Sequence, residues 1–236
     1  MTELVHLQTL SEAPHFNDLI FSRVEPFLGR RVLEVGMGMG QFTERLLQRC
    51  ERVVGIELVE EFLALARRRY QGRERLEIFQ ADASASLAPL LGDRRFDTVL
   101  CMNVLEHIEE DVAALRNFHA LLEPGGRVVL IVPDCPWLFN KLDRYGGHFR
   151  RYDRAGLQAK LEAAGFSVEH AHSFNMTGIL GWFVNGALLR RKYPPVGQVR
   201  LFDRLVPWLD RLERWIGPPI GMSILMVGRK GPDAHA

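Results

Sequence analysis

The stretch Arg31-Val-Leu-Glu-Val35 followed by Gly36-Met-Gly38-Met-Gly40 constrains the chain more than any other. A short β-branched run that ends in three glycines at alternate positions reads as a strand feeding a tight turn. Glycine lets that turn adopt positive φ and lets its backbone approach a ligand closely. Phe42, Leu46 and Leu47 then recur at helical spacing, so a helix opens after the turn and presents free N–H groups. Strand, glycine turn and helix begin a βαβ unit. A nucleotide-like ligand fits at that strand end, the usual crevice of an open α/β sheet.

The same rhythm continues. Residues 52–57, 76–79, 96–102 and 127–132 read as strands, and residues 60–70 and 111–122 as helices, the latter closed by Pro124-Gly125-Gly126. Strands alternating with helices imply a parallel sheet with right-handed crossovers. Beyond residue 133 the pattern changes to a polar and aromatic loop over 134–153 and a helix over 154–164 ended by Gly165. A strand over 166–174, an apolar stretch over 178–219 and a last strand over 223–227 follow. There is no internal repeat, so 1–236 reads as one domain.

With 236 residues, 47% apolar and 25% charged, the chain can bury a core without disulfide or metal staples. A net charge of +1 argues against a general nucleic-acid binder. Arg67-Arg68-Arg69 reads as a solvated helix end. Cys50, Cys101 and Cys135 are odd in number and far apart, which points to a reducing cytoplasm. The start Met1-Thr-Glu-Leu4 lacks the basic and apolar regions of a signal peptide, and no apolar run is long enough to span a bilayer.

Three further features surround the glycine turn. Glu57 ends the second strand, where a carboxylate accepts from ribose hydroxyls; a solvated strand-end residue is the alternative. Asp82, in Gln80-Ala-Asp-Ala83 after the third strand, suits an adenine amino group or a helix N-cap. Asn103-Val-Leu-Glu106-His107 follows the fourth strand at the same sheet edge. A dinucleotide fingerprint would need a third glycine at position 41, which is Gln41.

Taken with Leu122-x-Pro-Gly-Gly126, this set resembles the class I S-adenosylmethionine (SAM)-dependent methyltransferases, most closely the small-molecule branch of the ubiquinone and menaquinone biosynthesis type. The resemblance runs over roughly residues 30–175 and the final strand. It implies a doubly wound, seven-stranded Rossmann-like sheet in three α/β/α layers, its last strand antiparallel. It further implies that Gly36, Gly38 and Gly40 cradle the methionine end of SAM, with Glu34 near the amino group. Glu57 would hold the ribose, Asp82 and Ala83 the adenine, Asn103 and Val104 would border the methionine moiety and sulfonium, and Leu58 would be a further cofactor contact. A nicotinamide-dependent oxidoreductase and a non-catalytic SAM-binding protein are the rival readings.

Methyl transfer to a hydroxyl, phenol or ammonium is helped by a base. His148, in the Gly-rich segment Tyr145-Gly-Gly-His-Phe-Arg-Arg-Tyr-Asp153, belongs to an active-site loop expected to overhang the pocket; it is the leading catalytic candidate, a backbone-bonded loop histidine being the alternative, and Tyr152 and Arg150 are further candidates for contact with the acceptor. His107 suits a shaping role better than a base. No histidine pair has ligand spacing, so no metal is assigned.

The 178–219 stretch exceeds what the fold needs between its last strands. Leu201, Leu205, Trp208, Leu209, Leu212, Trp215 and Ile216 recur near helical spacing, and Pro207 is expected to split this part into two short helices. Three readings stay open: a cap over a hydrophobic acceptor pocket, a homodimer interface, or a peripheral contact with a membrane surface. The first and third both favour a lipophilic small-molecule acceptor.

Overall fold

The structure, a computed structural model, describes residues 13–232. The expectation about the N-terminal residues therefore lies outside the described part.

The centre is a sheet of seven strands: β1 (Arg31–Val35), β2 (Arg52–Glu57), β3 (Leu76–Gln80), β4 (Phe96–Met102), β5 (Leu122–Pro133), β6 (Phe166–Phe174) and β7 (Ser223–Lys230), in the order β3-β2-β1-β4-β5-β7-β6. β1 pairs in parallel with β2 and β4, and β4 with β5, whereas β7 runs antiparallel to both β5 and β6. The strand order reverses between β1 and β4, which opens a crevice beyond their carboxyl ends. The doubly wound fold with an antiparallel last strand is as expected.

Successive side chains of a strand face opposite ways, so each strand feeds two cores. On one face Leu33, Val54, Val99, Val128 and Leu130 meet Leu115 and Phe118 of α5 (Asp111–Leu121) and Leu157 and Leu161 of α7 (Arg154–Ala163). On the other, Val32, Val53, Leu100 and Val129 meet Ile20, Phe21 and Val24 of α1 (Pro14–Val24) and Leu46 and Leu47 of α2 (Thr43–Arg49). α3 (Glu60–Arg69) ends in the three exposed arginines, as expected, and α4 (Ala88–Leu91) is a single turn.

The structure departs from the sequence reading in three places. β5 begins at Leu122, not at Arg127, because Leu122 pairs with Phe96 and a bulge absorbs the Pro-Gly-Gly segment. The 134–153 stretch is not all loop. It holds a 3₁₀ turn (Pro136–Leu138) and α6 (Lys141–Gly146), whose start is fixed by a capping box between Asn140 and Asp143. Finally, α8 (Met176–Trp182) and a π turn (Phe183–Leu188) lead to α9 (Val196–Ile216), which passes through Pro207 as one helix.

Proline at position 207 removes one helical bond to the carbonyl of Asp203, but carboxylates pin α9 on both sides of it. Asp203 accepts from the Phe16 amide at 2.9 Å and faces His15 Nδ1 at 2.8 Å. Asp210 pairs with Arg23, and Glu213 accepts from the amides of Asn175 (2.8 Å) and Thr177 (3.2 Å).

Candidate functional site

At the carboxyl end of β1 the amides of Gly36 and Met37 both donate to the carbonyl of Ile56, at 2.9 and 3.1 Å. Gly36, Gly38 and Gly40 then take φ of 67°, 56° and 79°. Crowding adds to the need for glycine. A Cβ on Gly36 would lie 2.3 Å from Val104 Cγ2, and one on Gly40 would lie 2.3 Å from the Tyr70 ring. The Tyr70 hydroxyl donates to the Gly40 carbonyl at 2.7 Å. The turn is thus wedged between the segment after β4 and the end of α3.

Glu57 is not a solvated strand end. It is buried; its Oε2 accepts from the Gly38 amide at 2.8 Å and its Oε1 from the amides of Leu58 and Val59, each at 2.9 Å. The carboxylate ties the glycine turn to β2 and keeps an acceptor position on Oε2 for a hydroxyl. Glu34, two residues before the first glycine, is also buried and accepts from Thr43 Oγ1 at 2.7 Å. Burial pushes its carboxyl up to about 7, against the Thr43 bond and with the help of nearby Glu57. A cation brought beside it would restore its charge.

Asp82 caps no helix. Its Oδ1 accepts from the amide and hydroxyl of Ser84 at 2.8 and 2.7 Å, which makes a turn instead. Asn117 of α5 holds that turn, donating to the carbonyls of Ala85 (2.7 Å) and Ser84 (3.2 Å). Asn103 sits at φ 52° with its amide on the Ile131 carbonyl at 2.7 Å, which turns the chain out at the end of β4.

One cavity of about 1020 Å³ runs past these groups. Glu34, Gly36, Gly38, Glu57, Leu58, Asp82, Ala83, Asn103 and Val104 all line it; Gly40 does not, and shapes the turn from behind. The cavity continues to Glu106, His107 and His148, then to Thr177, Trp182, Asn185 and Phe202. The 134–153 and 178–219 segments therefore both contribute walls.

The histidine end rests on a buried ion pair. Arg151 Nε donates to Asp143 Oδ1 at 2.7 Å, with both side chains fully buried, and Arg151 Nη1 donates to the Asp134 carbonyl at 2.9 Å. Trp182 Nε1 and the Asn140 amide donate to Asp143 Oδ2 at 3.2 and 2.9 Å. Burial pushes the Asp143 carboxyl up, but the His148 hydrogen bond and Arg151 outweigh it and hold it below the usual range. His148 Nδ1 lies 3.2 Å from Asp143 Oδ1. An ionised Asp143 fixes the proton on Nδ1 and leaves Nε2 as the acceptor. The His107 ring packs edge-on against His148, centroids 4.6 Å apart.

Glu106 completes the group. It is buried, one of its oxygens has no hydrogen-bond partner, and burial pushes its carboxyl up to about 7 despite His148. The ligand-type atoms of Glu106, His107 and His148 lie within 4.8 Å of one another, so these are the residues that could share a cation if one binds. Their sequence spacing gave no hint of this grouping.

Tyr152 and Arg150 do not join the cavity. Tyr152 is buried, its hydroxyl 3.2 Å from the Leu105 carbonyl and 3.0 Å from Asp111 Oδ2, and burial and Asp111 push it far above the usual range. Arg150 pairs with the same Asp111 at 2.8 Å. Conversely, Ala13, Phe16 and Ile20 line the cavity from the start of the chain. The four-residue spacing of Phe16, Ile20 and Val24 was the available signal for that helix. Asn140-x-x-Asp143 was the one for α6.

Residues 33–130 match a family described as "Methyltransferase domain". The chain is 34% identical over 103 residues to a ubiquinone biosynthesis O-methyltransferase of Pseudomonas aeruginosa, covering 43% of this chain and 44% of that one. It is 29% identical over 154 residues to the protein of the same description from Azotobacter vinelandii, covering 59% and 66%. The chain thus spans about half the length of the curated relatives it matches. Among solved structures it is similar to a methyltransferase from Bacillus halodurans (20% identity, TM-score 0.61, covering 90% of this chain and 98% of that one). Magnesium protoporphyrin IX methyltransferase from Synechocystis, with bound SAH, is similar at 17% identity and TM-score 0.57, covering 92% and 82%. These structural neighbours share the fold.

Proposed function

We infer that this chain is a class I SAM-dependent methyltransferase that transfers a methyl group from SAM to an oxygen of a small, lipophilic acceptor. The observation that carries the reading is the continuous cavity of about 1020 Å³. It joins a glycine turn crowded against any added Cβ to a histidine whose Nδ1 is held by a carboxylate.

The residues present fit the cofactor. Glu34 is a desolvated carboxyl that an ammonium group would ionise. Glu57 keeps an acceptor position for a ribose hydroxyl beside the amides it already holds. Asp82 and the turn pinned by Asn117 form the edge that would meet an adenine. Gly36, Gly38, Asn103 and Val104 would enclose the methionine end. When bound, SAM supplies an activated methyl, so the protein's task is position and proton handling.

At the acceptor end, His148 Nε2 would take the proton from the acceptor hydroxyl, with Asp143 holding the ring and steadying its charge once protonated. His107 shapes the site by packing on His148. Trp182, Phe202 and Val199 give the cavity apolar walls suited to a lipophilic ring or tail. The curated relatives described as ubiquinone biosynthesis O-methyltransferases support oxygen as the atom methylated.

Calorimetry with SAM and with NAD tests the cofactor. Micromolar SAM affinity, weakened by Glu57→Ala and Asp82→Ala and absent for NAD, is the expected result. A preference for NAD would return the oxidoreductase reading. The base is then tested with SAM and a panel of lipophilic phenols: His148→Gln should lower kcat about 10²-fold or more with SAM affinity unchanged.

A further inference from the structure

α9 turns acids inward and a long apolar stripe outward. Its carboxylates, Asp203, Asp210 and Glu213, turn inward onto α1 and the segment before α8. Val206 is buried and Phe202 faces the cavity, but most of its large apolar residues turn outward: Leu201, Leu205, Trp208, Leu212 and Trp215 form one stripe at four- and three-residue steps, with Trp208 70% and Trp215 85% exposed. A helix of a water-soluble fold normally does the reverse. An exposed stripe of this size, holding two tryptophans, marks a contact surface.

The charges decide which contact. With the acids facing inward, the outer side of α9 carries arginines: Arg204 and Arg211 are exposed and lie on one flank of the stripe, Arg211 over the Trp208 ring. Leu180 of α8, Leu188 of the π turn and Leu189 just after it are exposed, and the exposed cations Arg190, Arg191 and Lys192 follow directly. Asn185 Nδ2 of the π turn donates to Gln198 Oε1 of α9 at 3.0 Å, so both apolar surfaces lie on neighbouring elements. A second copy docked stripe to stripe would set these cations against their own kind, with the acids of α9 turned away. An anionic bilayer offers apolar depth for tryptophan and leucine and negative headgroups for arginine and lysine.

We propose that α9, with the outer side of α8, seats the protein on an anionic membrane surface. This surface adjoins the cavity, because the exposed Lys192, after the π turn, and the exposed Gln198, at the start of α9, also line the cavity wall. A lipophilic acceptor would therefore pass from the bilayer to the site without crossing water; that last step rests on the methyltransferase reading, whereas the docking does not. No helix of the described residues is long and apolar enough to cross a membrane, so the contact is peripheral.

The test is co-flotation of the full chain with vesicles of phosphatidylcholine alone and of equimolar phosphatidylcholine and phosphatidylglycerol. Binding to the anionic vesicles only, reduced about tenfold or more by the double variant W208S/W215S and by R204E/R211E, is expected. Thermal unfolding and SAM calorimetry of each variant keep misfolding and cofactor loss apart from docking. Absence of binding to the anionic vesicles, or binding that both double variants leave intact, overturns the proposal. So does a concentration-dependent dimer in sedimentation that W208S/W215S dissolves. Vesicle binding by a protein that ignores SAM would leave the docking standing and sink the methyltransferase reading instead.

Discussion

At the glycine-turn end of the cavity, a ligand meets mostly backbone and the carboxylates that brace it. At the histidine end it meets side chains propped on other side chains. Gly36, Gly38 and the amides held by Glu57 take their positions from β1 and β2, two interior strands of the sheet. His148 takes its position from Asp143, and Asp143 from Arg151, Trp182 and Asn140, on elements laid over the sheet edge. The first end is fixed by local geometry, which demands particular residue types at fixed spacing. The second is fixed by contacts between residues up to 39 positions apart, which leave no short pattern. The difference sets what each end tolerates.

The largest expected effect breaks the second end. Asp143→Ala leaves Arg151 buried without its partner and should cost about 3–5 kcal/mol in chemical denaturation, while SAM affinity of the remaining folded protein holds. A loss below 1 kcal/mol would mean that the pair is not the prop described here. At the first end, Gly36→Ala meets both a positive φ and a Cβ 2.3 Å from Val104. Strain and overpacking together should cost about 2–4 kcal/mol, and calorimetry should find SAM binding abolished.

Glu34→Gln should act with the opposite sign. A carboxyl raised in the folded state from 4.5 to about 7 gives stability that is complete below pH 4.5 and is lost as pH rises through 7. Glutamine keeps the Thr43 contact without the charge. At pH 8 the variant should be the more stable by up to about 3 kcal/mol, with no gain near pH 4. It should also bind SAM more weakly, and the wild-type protein should release protons on binding SAM near pH 6.5. A variant equally stable at both pH values would show that Glu34 is not desolvated. The smallest effect sharpens the contrast from outside: Trp215→Ser, at a position 85% exposed, should change stability by less than about 0.5 kcal/mol in urea unfolding.

The same contrast explains what could be read from residues alone. The strands, the glycine turn and the positions of Glu57 and Asp82 at the strand ends were legible because each depends on neighbours within a few residues or on the alternation of one βαβ unit. Asp143 was not, since its role exists only where α6, α8 and the segment at Arg151 meet. Tyr152 looked chemical because it shares a loop with His148, yet its hydroxyl is spent on Asp111. Pro207 looked like a break, and side-chain anchors at Asp203 and Asp210 carried the helix past it. The exposed stripe of α9 was visible as a pattern, but its direction was not. Periodicity gives the width of an apolar face and leaves open which way that face turns.

The place of β7 between β5 and β6 governs when the sheet can be finished. β6 joins the other strands only through residues 223–230, so a nascent chain must emit α8, α9 and everything up to position 222 before its sixth strand has a partner. Until then the ribosome holds a five-stranded platform whose β5 margin is bare and sticky. Completion waits for long-range pairing, which is slow. A stalled or truncated product ending before Ser223 would be a natural client for chaperones, because the strand made late in synthesis is the one that covers β5 and carries β6.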